Sequence, residues 1–431
     1  MTIGIDASRS IATIQKTGVE KVSDELLRQF VNFQFPISNF QNKEINFIFY
    51  TPKKIFWLPK ENQKVLHWPF NFFWTQIRLA GELIFHPPKA MFFPVHTMPL
   101  FLIIFSFPLS HKKLWHRISP TTPARELATP PQGGRERTHY YKIIHDIAFK
   151  KQPHLYSFKQ KIILNLDLWL AEKLCVKIFV PSEAVRDDLL KYTKIKPEKI
   201  MVTPWGYNPK NYGLRITDYG LRKKQILYLG RVEEKKNINN LIKAFGIFYE
   251  KHPDYKLVLA GKIEERFKNN IFSVIARVAC SATAADRAIQ KQKQKELDPR
   301  VKIEDDSGGV EFLGYISEDK KRELLSESAA LALVSKEEGF GFPILEAFDF
   351  GLPVVASDIP VLREIGADAC VYVNPDSLED IARGLETAVV ETHCNASLQK
   401  IEKGHERLKK ISWQKTAEKI LTEILGNKNP S

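Results

Sequence analysis

Two glutamates eight positions apart stand in the run Ser335-Lys-Glu-Glu338-Gly-Phe-Gly-Phe-Pro-Ile-Leu-Glu346-Ala. The apolar stretch Ala330 to Val334 ahead of it reads as a buried strand, and the residues after it read as a helix. Gly339, Phe340, Gly341 and Phe342 therefore form a turn at a helix N-terminus, where backbone N–H groups and the helix dipole bind phosphate or sugar oxygens. Glu338 belongs to the loop and Glu346 to the helix that follows. Carboxylates spaced like this can hold the vicinal hydroxyls of a sugar or a ribose. The plain alternative is a capped helix with one solvated glutamate, and the agreement of several residue types at once weighs against it.

A second constellation is Gly230-Arg231-Val-Glu-Glu-Lys-Lys236-Asn. Two cations in a loop between a strand and a helix can neutralise a diphosphate as charge gathers on a leaving group. Alone, such a loop is more often solvated surface; beside the glutamate pair the balance reverses. The amino-terminal half adds Thr17-Gly18-Val-Glu20 after the first strand and His145-Asp146 after the strand Tyr141 to Ile144. Many Rossmann-like folds carry such a glycine loop, and a lone histidine at a strand end is more often structural.

In these residues the chain resembles the retaining glycosyltransferases of family 4. Those enzymes have the GT-B fold and carry an E-G-F-G-x-P-x-x-E-A run and a G-R-x3-4-K-[GN] loop. The resemblance implies that Glu338 lies against the donor sugar and Glu346 bonds the nucleotide ribose. Arg231 and Lys236 would grip the diphosphate together with the Gly339 to Phe342 turn. His145 and Asp146 would face the cleft near the transferred sugar, with Gly18 where the backbone approaches the phosphates or the acceptor. The implied activity is transfer of a hexosyl group, mannosyl by lean, from a nucleotide-diphosphate sugar to a glycan or lipid-linked acceptor, with retention at the anomeric carbon. No Asp-x-Asp pair occurs, which fits an enzyme needing no metal and no cofactor beyond its nucleotide-sugar substrate. An epimerase or phosphorylase on a related fold, or a non-catalytic binding protein, is the alternative. A dehydrogenase is disfavoured because no GxGxxG follows any predicted strand.

These residues need a scaffold of alternating strands and helices, and the sequence supplies one twice. Strands are predicted at Ile3 to Ala7, Ile45 to Tyr50, Ala90 to Pro94, Tyr141 to Ile144 and Lys177 to Val180, with helices over Val19 to Phe30 and Leu164 to Leu174. A second series runs through Ile226 to Leu229, Leu257 to Ala260, Val310 to Leu313, Ala330 to Val334 and Pro353 to Ala356, with a helix over Ile238 to Lys251. The expectation is an α/β protein of two doubly wound Rossmann-like domains in the GT-B manner, with a cleft between them. Residues 1–205 form the acceptor-side domain and 206–410 the nucleotide-sugar domain. Residues 411–431 form a helix crossing back to the first. Two stretches, about 101–138 and 264–309, break the rhythm and read as surface insertions without enough periodic apolar residues for a core, the second with one weakly helical region from Asn270 to Lys295.

The 431 residues exceed what one core usually supports, and 44% hydrophobic with 26% charged content is ordinary for globular proteins. A formal charge of +14 calls for an anionic partner or surface. Without zinc-finger spacing or RNP-like aromatics, and with the basic residues spread along the chain, nucleic acid is set aside in favour of an anionic membrane or a phosphorylated substrate. The apolar run Met91 to Leu109, interrupted by prolines, is too short to span a bilayer and reads as buried strands or an interfacial segment. Cys175, Cys280, Cys370 and Cys394 show no CxxC spacing, which points to a reducing compartment. The chain opens directly on a strand. A cytoplasmic protein, peripheral on the inner membrane face, is expected.

Overall fold

A computed structural model describes residues 1–11, 18–32, 45–70, 73–94, 97–100, 102, 138–209, 222–282, 309–390 and 395–426. The chain forms two units: residues 1–205 joined by 413–431, and residues 206–412.

The first unit is built on a seven-stranded parallel sheet. Its strands are β1 (Thr2–Asp6), β2 (Asn46–Thr51), β3 (Gln63–Val65), β4 (Ala90–Phe93), β5 (His139–Ile143), β6 (Cys175–Val180) and β7 (Ile200–Val202). Their order is β3-β2-β1-β4-β5-β6-β7. A parallel sheet is covered on both faces, so its central strands are apolar without alternation; every residue of β4, Ala-Met-Phe-Phe, is buried. The helix Gly18–Val31 turns Val22, Leu26, Leu27 and Phe30 inward at helical spacing. The final helix, Trp413–Gly426, packs on it. There Trp413, Ala417, Ile420, Leu421 and Ile424 are buried, and the Thr416 hydroxyl donates to the Pro204 carbonyl at 2.8 Å.

One buried ion pair fixes the segment after β4. Lys142 on β5 lies 2.8 Å from Asp167 on the helix Phe158–Leu174, and Asp167 also accepts the Met98 N–H at 2.8 Å. The Gln76 side chain accepts from Leu100 N–H and donates to the Met98 carbonyl. Of the run Met91 to Leu109, β4, Met98 and Leu102 are buried; residues 95, 96, 101 and 103–109 lie outside the described residues, as does nearly all of 101–138.

The second unit repeats the plan with β8 (Lys223–Leu229), β9 (Lys256–Ala260), β10 (Val310–Gly314), β11 (Ser328–Leu333), β12 (Val354–Ser357) and β13 (Val371–Val373). The order is β10-β9-β8-β11-β12-β13, all parallel. The helix Ile238–Lys251 buries Leu241, Ile242, Phe245 and Phe248 and packs on the helix Leu378–Val390. The stretch after residue 264, read as a surface insertion with a weakly helical region from Asn270 to Lys295, is helical from Glu265 and packs on the helix Ile238–Lys251. It begins as the helix Glu265–Ala282, with Phe267, Ile271, Val274 and Ile275 buried. These positions make one helical stripe, which the charged residues around it hide from a compositional reading. Residues 283–308 lie outside the described residues.

In each sheet the central strand has its crossover neighbours on opposite sides: β1 lies between β2 and β4, and β8 between β9 and β11. The loops at the carboxyl ends of such a pair leave in opposite directions and open a crevice, which is where α/β sheets bind ligands.

Candidate functional site

In the second unit that switch point is made by the loops after β8 and β11. β8 runs into Gly230, Arg231 and Val232, then a 3-10 turn over Glu234–Lys236. Tyr228 steadies this loop by donating its hydroxyl to the Arg231 carbonyl at 2.7 Å. Burial pushes the Tyr228 phenol well above its ordinary value, so it remains a donor. The neighbouring loop approaches so closely that Gly261, at φ +153°, leaves no room for a side chain: a Cβ there would sit 1.7 Å from the Gly230 carbonyl oxygen. Asn237 closes the turn in the left-handed region, at φ 58°. Its side-chain amide donates to the carbonyls of Val334, at 3.0 Å, and Pro375, at 2.7 Å. That ties the basic loop to the end of β11.

β11 leads through Val334 and the buried Ser335 to Glu338. Lys236 Nζ donates to Glu338 Oε2 at 2.6 Å, and Ser335 Oγ donates to Oε1 at 2.8 Å. Both carboxylate oxygens are therefore held, one by a full charge. The backbone N–H of Lys336 bonds the Lys235 carbonyl at 2.9 Å, so the two loops also touch through their main chains. Gly341, at φ +105°, caps the helix Phe342–Asp349, with Pro343 in its first turn, where a missing N–H costs nothing. The turn from Gly339 to Phe342 thus lies at a helix N-terminus beside the Lys236–Glu338 pair.

Glu346 sits one helical turn further in and is buried. Lys321, on the helix Glu318–Glu327, donates to its Oε1 at 3.0 Å and lies 2.8 Å from Glu318. Burial acts to lower the Lys321 ammonium, but Glu346 and Glu318 outweigh it and hold it above its ordinary value. Each glutamate of the pair therefore has its own lysine, brought by a different element.

The carboxy-terminal unit coincides with a known sequence family: residues 217–406 match the model for glycosyl transferases group 1. The match lies within this unit and covers less than half of the chain. The O-antigen chain mannosyltransferase RfbU of Salmonella typhimurium (strain LT2) is 30% identical over 238 residues, 54% of this chain and 56% of that protein. The chain thus matches just over half the length of that relative. The O-antigen chain mannosyltransferase B of Escherichia coli is 26% identical over 191 residues, 44% of this chain and 42% of the relative. Among solved structures, Anabaena Alr3699/HepE in complex with UDP-glucose superposes with a TM-score of 0.64 at 14% identity, covering 99% of both chains. WaaG, a glycosyltransferase of lipopolysaccharide biosynthesis, gives 0.63 at 14% identity over 99% of this chain and all of that one. The fold is that of the GT-B glycosyltransferases, two Rossmann-like units.

Within the unit that holds this match, the structure brings Lys236 and Glu338 into contact and sets Gly339, Phe340, Gly341 and Phe342 beside them. Arg231 is exposed on the same loop as Lys236, and Glu346 points to Lys321. The remaining sequence candidates lie in the first unit. Gly18 is exposed and opens the helix after β1; Thr17 is outside the described residues. His145 follows β5, buried, with Nε2 3.2 Å from the Pro94 carbonyl. A carbonyl only accepts, so Nε2 carries the proton. The ring packs at 5.5 Å on Trp205. Asp146 accepts the Ala148 N–H at 3.0 Å. Lys321, the bonds by which Asn237 ties its loop to Val334 and Pro375, and the contact of Ser335 with Glu338 were not legible from the sequence. Lys321 and Glu346 are joined only by the packing of a helix between two strands, which leaves no local pattern.

Proposed function

We propose that this chain is a retaining glycosyltransferase that moves a hexosyl group, mannosyl by its relatives, from a nucleotide-diphosphate sugar to a glycan or lipid-linked acceptor. The observation that carries the proposal is the Lys236–Glu338–Ser335 network at the switch point of the family-matched unit. A carboxylate held at both oxygens is a fixed acceptor for sugar hydroxyls. A lysine at 2.6 Å from it, with Arg231 on the same loop, supplies the positive charge that a departing diphosphate requires. As the glycosidic bond breaks, negative charge grows on the leaving phosphate oxygen. Arg231, Lys236 and the amides of the Gly339 to Phe342 turn stabilise it.

The same phosphate oxygen takes the acceptor's proton, which places the new bond on the face the nucleotide leaves and so retains configuration. Glu346, oriented by Lys321, receives the ribose hydroxyls. His145, Asp146 and Gly18 serve the sugar and acceptor side. With protein cations meeting the diphosphate charge, the reaction runs without metal or cofactor. Relatives named for O-antigen chains support a place in surface-polysaccharide assembly, with the acceptor met at the cytoplasmic face of an anionic membrane.

A panel of nucleotide sugars screened by thermal denaturation tests the reading. A donor at about 100 times its Kd stabilises by about 2.7 kcal/mol, and GDP-mannose is expected to lead. Equal melting temperatures with every nucleotide sugar would overturn it.

A further inference from the structure

The excess positive charge belongs to one unit only. Residues 1–205 and 413–431 hold 32 lysines and arginines against 18 aspartates and glutamates, a net +14, while residues 206–412 hold 32 of each. The unit that matches glycosyl transferases group 1 is neutral in formal charge, so the field that attracts an anionic partner comes from the other one.

That unit also carries a helix that is apolar on both faces. Phe158–Leu174 turns Leu168, Leu170 and Ala171 inward. On its outer side Phe158, Ile162, Leu166 and Trp169 are 74%, 44%, 39% and 38% exposed. At 3.6 residues per turn these four fall within a stripe about 80° wide. Lys159 and Lys161 flank it, and Lys173, paired with Glu172 at 2.6 Å, stands at its carboxyl end. A helix apolar all round is buried or lies at an interface, and a contiguous exposed apolar stripe marks a docking face.

We infer that this outer face of Phe158–Leu174 docks the protein on an anionic bilayer, with Phe158, Ile162, Leu166 and Trp169 entering the headgroup boundary and the lysines meeting lipid phosphates. Charge selects this occupant. A second copy would set one +14 unit against another. Residues 103–137 of the chain itself carry six lysines and arginines against two glutamates, so they too would be repelled by the flanking lysines. Nucleic acid satisfies the charge but leaves the apolar stripe in water. An anionic membrane satisfies both, since lysine stems lie along the apolar boundary while their ammonium groups reach the phosphates. The inference rests on the membrane part of the reading above and is independent of the transfer chemistry.

The experiment is sedimentation of the full chain with phosphatidylcholine vesicles, with and without a third of phosphatidylglycerol. Ile162→Glu/Leu166→Glu and Lys159→Glu/Lys161→Glu are compared with the native sequence. The native chain is expected to bind the anionic vesicles and to be largely released at about 1 M salt. Both double variants should lose about tenfold or more in partitioning, with melting temperatures unchanged to within about 2 °C and nucleotide-sugar stabilisation intact. Absence of native binding to anionic vesicles overturns the membrane assignment altogether. Undiminished binding by the variants overturns the choice of this face alone. The face is likewise reassigned if the glutamates abolish a concentration-dependent dimer, if they lower the melting temperature substantially because the chain covers its own helix, or if the stripe is needed for binding a DNA fragment but not vesicles.

Discussion

Lys236 and Glu338 are 102 positions apart in the sequence and 2.6 Å apart in the fold. Two parallel strands that are neighbours in the sheet, β8 and β11, end side by side, and the loops after them meet. A cation and a carboxylate from two distant stretches of the chain are thus held against each other at the switch point.

Glu338→Gln and Lys236→Ala should each lower transfer by about 10²–10³-fold, roughly 3–4 kcal/mol of transition-state stabilisation. Glu338→Gln keeps an acceptor for Ser335 but removes the charge and sets an amide N–H₂ against Lys236 in place of the oxygen it bonds. Steady-state rates beside melting curves check this: near-native turnover in either variant removes that residue from the machinery.

Lys321→Met strips the partner from a buried carboxylate, which costs about 1–3 kcal/mol of stability. On the proposed contact of Glu346 with the ribose, KM for the nucleotide sugar should rise while kcat changes little. Lys321→Arg should restore much of the affinity. A loss confined to kcat would mean that the lysine does something other than orient Glu346.

The strands that carry this site were legible because they are continuous apolar runs, β8 ending just before Gly230 and β11 running on through Val334 to Ser335. The helix Ile238–Lys251 was legible from its 3.6-residue period. Three short strands, Gln63–Val65, Ile200–Val202 and Val371–Val373, were not: three half-buried residues hold no period. The helix Phe158–Leu174 was visible only from Leu164 onward, because its first turns place Phe158 and Ile162 in solvent, against the pattern of a core helix. The Lys321–Glu346 bond was out of reach for a different reason. It depends on which strands are neighbours, and the sequence order β8, β9, β10, β11 does not reveal that β11 returns to the side of β8.

Glu82 in the first unit offers a pH test. Burial acts to raise its carboxyl, but Lys64 at 2.6 Å, His86 and Arg78 outweigh it and hold it below the ordinary value of 4.5. A carboxyl depressed in the folded state contributes stability that is present above its unfolded pKa and is lost as pH falls through the folded one. Glu82→Gln should therefore be clearly less stable than the native chain at neutral pH. The gap should shrink below about pH 4.5. Denaturant midpoints across that range measure it, and a gap that widens on acidification would contradict the assignment.

Transfer should survive a chelator. In the proposed mechanism the diphosphate charge falls to Arg231, Lys236 and the turn amides, the task a divalent ion performs in enzymes that need one. Activity abolished by EDTA and restored by Mg²⁺ or Mn²⁺ would reassign that role to a metal.

The most direct measurement follows nucleoside diphosphate released from a sugar nucleotide, GDP-mannose first, by the native chain and by Lys236→Ala, with no phosphate added. Release by the native chain, about 10²-fold slower in the variant, with the sugar appearing on an acceptor in its original anomeric configuration, is the expected result. No release from any sugar nucleotide, or release that Lys236→Ala leaves untouched, would contradict a donor site built on Lys236 and Glu338.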